Sequence, residues 1–432
     1  KYLDQAKYFL DMRGKTTIRQ TYSQSQAPVV NQKEAVGHAV RAGYMYAGMA
    51  DVAALTGDSS YIKAIDDIWN NIVGKKYYLT GGVGALHWGE AFGANYELPN
   101  KTAYNETCAA IAQVYLNQRM FLLHGDAKYI DCLERTLYNG VISGMSIDGG
   151  RFFYPNPLAA DGKYKFNADN TLERQPWFGC ACCPSNLSRF IPSVPGYFYA
   201  VKGNKVYVNL FASSKADLTV NGKTVDFTVD TKYPWNGDIA LTIGKNKAGQ
   251  FNLAIRIPGW MRGQVVPSDL YKFEDNTKTP WSITVNGKKV DGTLEKGYFS
   301  ISRKWKKGDV VRIHFDMQPR LVKANDKVEA DRGRIAVERG PLVYCAETAD
   351  NQYDIFRFVM PKQPQFTVND APQLLNGIKT ISVEGTYLKT DDQGSVLSKS
   401  AQLKLIPYYA WNHRGVGKML VWIPQGLSLM DE

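Results

Sequence analysis

The residues most able to do chemistry are cysteines: six stand in the chain, and four of them fall in two short motifs. Cys180-Ala181-Cys182-Cys183 precedes a helical pattern with Pro184 at its first position, and Glu106-Thr107-Cys108 opens another. Three thiolates, Cys108, Cys182 and Cys183, together with the Glu106 carboxylate make a closed, four-coordinate donor set that suits Zn²⁺. Helix positions two apart point about 200° away from each other, so Glu106 and Cys108 can share an ion only where the backbone is still unwound. Asn105 and Thr107 are capping residue types that place the pair at such a boundary. The same cysteines have plainer readings: a disulfide, a structural zinc, or buried free thiols. Adjacent Cys182 and Cys183 are poor partners for each other, and neither Cys132, in a helical pattern, nor Cys345, in a strand pattern, has a nearby mate. The paired Cys-x-x-Cys of zinc ribbons does not occur.

A carboxylate suited to sugar chemistry is the second feature. Glu90 sits in His87-Trp88-Gly89-Glu90-Ala91-Phe92, downstream of Gly81-Gly82-Val83-Gly84. Glycines let a backbone approach a ligand closely, and a Glu between Trp and Phe is expected to have its pKa raised by desolvation, as a general acid requires. The competing reading is an ordinary surface-loop Glu. His38, in Gly37-His38-Ala39-Val40-Arg41, reads either as a helix-start histidine or as a substrate contact. His124, His314 and His413 fall at a helix end, in a strand and in a late loop, and none is assigned chemistry. The glycine run lacks the Gly-Lys-Ser/Thr ending of a phosphate loop, and there is no Gly-x-Ser-x-Gly elbow of a serine hydrolase.

Two architectures must position these residues. Up to about residue 200 the apolar residues recur at helical spacing, as in Ala39, Ala42, Gly43, Tyr46, Ala47 and Ala50, with small side chains that predict close helix packing. A repeat is visible: a helix from about Glu34 reaches Thr56-Gly57-Asp58, one from about Thr107 reaches His124-Gly125-Asp126, and each is followed by a second helix. Gly ends one helix and Asp caps the next, the punctuation of a helical hairpin. A third such helix starts after Cys183-Pro184, making about six helices in all. Hairpins joined by the long loops 70–104 and 146–182 fit an (α/α)₆ barrel better than a tightly joined solenoid. His38, Glu106 with Cys108, and Cys182 with Cys183 all fall at the starts of first-of-hairpin helices, so they are expected to converge on one rim. A closed ring needs twelve helices, so residues 1–200 are expected to form the C-terminal half of the barrel, with the chain beginning inside a domain. Beyond residue 200 the pattern alternates with period two, as in Val206-Tyr207-Val208-Asn209-Leu210 and Val310-Val311-Arg312-Ile313-His314-Phe315. A β-sandwich is expected over 201–330, and a second one, or a continuation of the first, over 331–432.

The whole chain has 432 residues, enough for two or three compact units, with 44% hydrophobic and 12% aromatic residues. The 26 Tyr and nine Trp suit a carbohydrate handler and equally suit β-sheet packing. The net charge of +11 is spread thinly along the chain. It therefore reads as a solvated surface rather than a nucleic-acid site. No run of about 18 apolar residues offers a membrane span.

Taken together, Gly37-His38-Ala39-Val40-Arg41, Gly89-Glu90-Ala91-Phe92, Glu106-Thr107-Cys108, Cys180-Ala181-Cys182-Cys183-Pro184-Ser185-Asn186 and the late Ile406-Pro407-Tyr408-Tyr409-Ala410-Trp411 resemble the bacterial β-L-arabinofuranosidases of glycoside hydrolase family 127 and the related family 146. The resemblance implies an (α/α)₆ barrel followed by β-sandwich domains, and Zn²⁺ held by Glu106, Cys108, Cys182 and Cys183. It further implies Cys182 as nucleophile, Glu90 as general acid/base and His38 as a sugar contact in retaining hydrolysis of terminal β-L-arabinofuranose, or a related pentose, from a plant glycan. Family members carry an upstream stretch, supplying the first barrel half, that this sequence does not contain. The family's habit points to the periplasm or to secretion, with the cytoplasm as the alternative. The alternatives are another α/α-barrel carbohydrate enzyme, a lyase or epimerase, or a non-catalytic glycan-binding protein with a structural zinc.

Overall fold

The computed structural model of the chain describes residues 1–426 apart from positions 276, 278 and 392. Among the described residues there are six α-helices, all before residue 191: α1 (Tyr2–Met12), α2 (Ala39–Thr56), α3 (Ser59–Asn71), α4 (Thr107–His124), α5 (Ala127–Arg135) and α6 (Cys182–Phe190). The two expected hairpins are α2–α3 and α4–α5. Gly57 and Gly125 end their first helices, and the side chains of Asp58 and Asp126 accept hydrogen bonds from Ser60 N and Lys128 N at the start of the second. Two boundaries differ from the sequence reading. Helix α2 begins at Ala39 rather than near Glu34, because His38 caps it. Helix α6 already includes Cys182 and Cys183, which puts Pro184 at its third position.

Helices α2 and α4 lie against each other through small residues. A Cβ added to Gly43 would stand 2.7 Å from Ala112 Cβ, so the approach leaves no room for even a methyl group. Ala39, Ala42, Ala50, Ala109 and Ala110 of the two helices are also buried. This closeness brings the starts of α2, α4 and α6 to one end of a partial helical barrel.

The strands form three sheets of six, five and eleven strands among the described residues. Alternate residues of the six-stranded sheet, such as Val311, Ile313 and Phe315, are buried, while Arg312 and His314 between them are exposed. Its buried face meets the five-stranded sheet, with Phe227 edge-on to Phe251 at 6.1 Å. These two layers form one sandwich over 199–315. The eleven-stranded sheet takes in Pro319–Ala324, which pairs with Tyr271–Phe273 on one side and with Arg334–Arg339 on the other. The change of sheet therefore falls before residue 319, and the division expected at 330 lies inside the larger sheet.

The last sheet is tied to the helical part through polar anchors. Asn139 accepts from Val343 N and donates to Pro341 O, and the Tyr408 hydroxyl donates to Pro157 O. Buried Arg174 lies over the Phe153 ring and donates to the carbonyls of Ser143, Tyr409 and Trp411. The late Ile406–Trp411 motif thus braces the long loop that leads to Cys182. No helix among the described residues is long and apolar enough to cross a membrane.

Candidate active site

The segment before α4 is the keystone of the site. Glu106 is the N-cap residue with extended backbone (φ −58°, ψ 136°), so Cys108 stands in the first helical turn while the Glu106 side chain lies outside it. Asn105 ahead of it has φ +41°. Its N–H donates to Gly84 O at 2.8 Å, and Thr107 N donates to Tyr154 O at 2.9 Å. The glycine run packs closely here: a Cβ on Gly82 would stand 2.9 Å from the Asn105 side chain.

Four donor groups converge on this point. The sulfurs of Cys108 and Cys183 are 3.5 Å apart, and those of Cys182 and Cys183 are 3.9 Å apart. Glu106 Oε1 lies 3.6 Å from Cys182 Sγ and 3.5 Å from Cys183 Sγ. A tetrahedron with metal–sulfur bonds of about 2.3 Å and a metal–oxygen bond of about 2.0 Å has edges of about 3.8 Å between sulfurs and about 3.5 Å from sulfur to oxygen. The observed separations match those edges, which a disulfide does not, and all six cysteines are free thiols. Glu106 Oε2 is buried without a hydrogen-bond partner, a cost that a cation would remove. The set can hold a metal ion. Cys180 is exposed and stands outside it.

Charge in the cluster is unevenly divided. Hydrogen bonds from Cys108 and Cys183, with a further one from Tyr154, pull the Cys182 thiol well below the usual thiol range. Burial pushes Cys183 up, and burial together with the neighbouring Cys182 charge pushes Glu106 up. Cys108 is raised by its hydrogen bond to Cys182. Cys182 is therefore the sulfur that bears negative charge most readily, and it is also the least buried of the three cysteines in the cluster.

Glu90 and His38 border the same cluster. Glu90 sits at φ +50° at the end of a tight loop closed by the Leu86–Ala91 pair and joined to His38 by a backbone bridge with Ala91. Left-handed backbone is uncommon for a glutamate and is held here by the surrounding hydrogen bonds. His38 Nε2 lies 2.9 Å from Glu90 Oε2, and the Tyr104 hydroxyl donates to Glu90 Oε1 at 2.8 Å. Ligand atoms of His38, Glu90 and Glu106 lie within 4.8 Å of one another. The expected rise in the Glu90 pKa does not occur. The His38 hydrogen bond, helped by Tyr104, outweighs desolvation and lowers it, and Trp88 points away, 92% exposed.

All six residues picked out in the sequence thus meet in one place. Two others that the sequence did not single out join them. Tyr154 places its hydroxyl 2.9 Å from Cys182 Sγ. Tyr104 could have been noticed from its place two residues before Glu106, whereas Tyr154 is brought in only by long-range pairing of its backbone with Thr107.

A carboxylate and an ionisable sulfur near one another at one end of a partial helical barrel, with β-sheet layers behind it, fit the pair of groups that a glycosidase uses. Comparison with known proteins agrees. Residues 1–196 match the β-L-arabinofuranosidase GH127 catalytic domain, 205–317 the GH127 middle domain and 319–424 the glycoside hydrolase family 127 C-terminal domain. The chain belongs to glycoside hydrolase family 127. It is 34% identical to a non-reducing end β-L-arabinofuranosidase of Bifidobacterium longum subsp. longum, across 98% of this chain and 68% of that protein. Among solved structures it resembles a GH127 β-arabinofuranosidase (61% identity, TM-score 0.96, covering 100% of this chain and 66% of that one). It also resembles a GH127 β-L-arabinofuranosidase from Geobacillus stearothermophilus T6 (38% identity, TM-score 0.90, covering 98% and 69%). The chain spans about two thirds of the length of these relatives.

Proposed function

We propose that the protein containing this chain is a retaining glycosidase that releases terminal β-L-arabinofuranose from an arabinose-containing glycan, with Cys182 as nucleophile and Glu90 as general acid/base. The observation that carries this reading is that Glu106 is shared: its carboxylate touches the Cys182 sulfur and borders the His38–Glu90 pair. In the first step a bond forms from the Cys182 sulfur to the anomeric carbon as the glycosidic C–O bond breaks. The electron pair goes to the departing oxygen, which takes a proton from Glu90. In the second step Glu90 takes a proton from water, whose oxygen displaces the sulfur with net retention.

Glu106, Cys108, Cys182 and Cys183 would hold Zn²⁺, the ion their three-sulfur, one-oxygen set favours. When bound, the ion would supply the positive charge that keeps the sulfurs ionised near neutral pH and tempers the Cys182 sulfur so that it also leaves. His38 contacts the sugar in this scheme. A hydroxyl that takes over the His38 N–H relieves the bond that holds Glu90 ionised, and the carboxyl is then readier to carry the proton it must deliver.

The test is turnover of 4-nitrophenyl β-L-arabinofuranoside by the full-length protein, with the anomer of the first product read by NMR. Cys182→Ala should abolish turnover, and Glu90→Ala should abolish it with zinc retained. Normal turnover by Cys182→Ala would sink the nucleophile assignment.

A further inference from the structure

Glu90 is gripped at both oxygens, and the two grips differ in kind. We propose that Tyr104 is a positioning residue that reserves Glu90 Oε2 for proton transfer by occupying Oε1, an inference that rests on the acid/base reading of Glu90. The Tyr104 hydroxyl donates to Oε1 at 2.8 Å, while Oε2 faces His38 Nε2 at 2.9 Å. A sugar hydroxyl that takes over the His38 N–H frees Oε2, while Oε1 stays engaged by the Tyr104 O–H, so the exchangeable proton belongs on Oε2, the oxygen beside the sugar-contacting histidine.

Tyr104 is built to stay in this role. It is buried, 6% exposed, with its ring edge-on to His87 at 5.0 Å and 6.1 Å from Tyr154. Asn156 N donates to its carbonyl at 3.1 Å, and the next residue is anchored to Gly84 O. A buried tyrosine needs a partner for its hydroxyl, and here that partner is the Glu90 carboxylate. Tyr104 also stands two residues before Glu106. One anchored piece of backbone therefore carries both the clamp on the acid/base and the carboxylate that meets the Cys182 sulfur.

The test compares full-length, zinc-loaded wild type and Tyr104→Phe on aryl β-L-arabinofuranosides of graded leaving-group acidity. Leaving groups that depart unaided, such as 2,4-dinitrophenolate, need no proton. The variant should match wild type on these within about twofold, and lose about tenfold to a hundredfold in kcat/KM on poor leaving groups such as 4-methoxyphenolate. Circular dichroism and zinc content should be unchanged. An equal loss on every substrate, or none, overturns the proposal. Replacing Tyr104 with 3-fluorotyrosine keeps the shape while strengthening the donor. It should move the basic limb of the pH profile to lower pH on poor leaving groups, and an unmoved limb overturns the proposal even if Tyr104→Phe folds badly. Glu90→Gln, measured in parallel, should show the same leaving-group dependence more steeply. A uniform loss in that variant would overturn the acid/base reading itself, which separates its failure from that of the Tyr104 role.

Discussion

His38 Nε2 stands 2.9 Å from Glu90 Oε2, and this contact is the largest cause of the lowered Glu90 pKa. A donor to a carboxylate favours its ionised form, so removing it must raise the pKa. If Glu90 is the acid, the basic limb of the kcat/KM profile reports it in the free enzyme. His38→Ala is expected to move that limb to higher pH while lowering kcat/KM through the lost sugar contact. In wild type the limb should lie at lower pH for kcat/KM than for kcat, because bound sugar competes for the His38 N–H. Coincident limbs in wild type, or a downward move in His38→Ala, would contradict the arrangement.

The Cys and Glu cluster predicts its own metal analysis. Purified protein should carry about one zinc per chain, with X-ray absorption giving metal–sulfur distances of about 2.3 Å. Cys108→Ser should weaken zinc retention, and a strong chelator should lower the melting temperature, since an ion bound only by the folded state stabilises it by mass action. Protein that is metal-free as isolated and indifferent to chelator would rule out this use of the four residues.

The sequence already exposes much of this site, for physical reasons that particular residues make clear. Gly57-Asp58 and Gly125-Asp126 mark the same turn twice, so the helix starts carrying His38, Glu106 and Cys182 could be placed on one rim without knowing any contact. The donor set likewise follows from residue type. What local spacing cannot give is direction. Trp88 and Phe92 flank Glu90 in sequence, yet Trp88 turns outward, and the Glu90 pKa is set by His38 and Tyr104 instead. Tyr154 reaches Cys182 through a backbone pairing 47 residues away, at Thr107, and no periodicity encodes that. The sheet change before residue 319 was hidden for a similar reason: alternation identifies strands but not their partners.

Asp331 gives a pH-dependent stability that is independent of catalysis. Burial raises its pKa to about 7, and its hydrogen bond from Asn100 at 2.8 Å offsets this only partly. The folded state then holds a proton that the unfolded chain has released above its ordinary value of 3.8. Stability should therefore fall as pH rises from about 4 to about 7, by at most about 4 kcal/mol at 1.4 kcal/mol per unit. Asp331→Asn, which keeps the acceptor for Asn100, should remove this slope and raise the melting temperature at pH 8. An unchanged slope would show that Asp331 titrates normally.

Arg256 joins the helical part to the sandwich, and its loss should be felt as an unpaired charge rather than as a missing contact. It is fully buried, with Nη1 2.7 Å from Asp131 Oδ1 on α5 and Nη2 2.5 Å from Glu134 Oε1 on the same helix. Its Nε donates to Asn209 O. Glu134 also accepts from the Tyr233 hydroxyl at 2.8 Å and is itself 2% exposed. Arg256→Met keeps most of the side-chain volume but leaves Glu134 with no cation, a change that typically costs about 3 to 5 kcal/mol. Asp131 suffers less, because Arg262 still pairs with it. Adding Glu134→Gln to Arg256→Met removes the stranded charge and should restore a large part of the loss, so the two changes are strongly non-additive. Denaturant midpoints of the two single variants and the double variant decide this. Additive losses would mean that the link between α5 and the sandwich is carried by packing, with the ion pair contributing little.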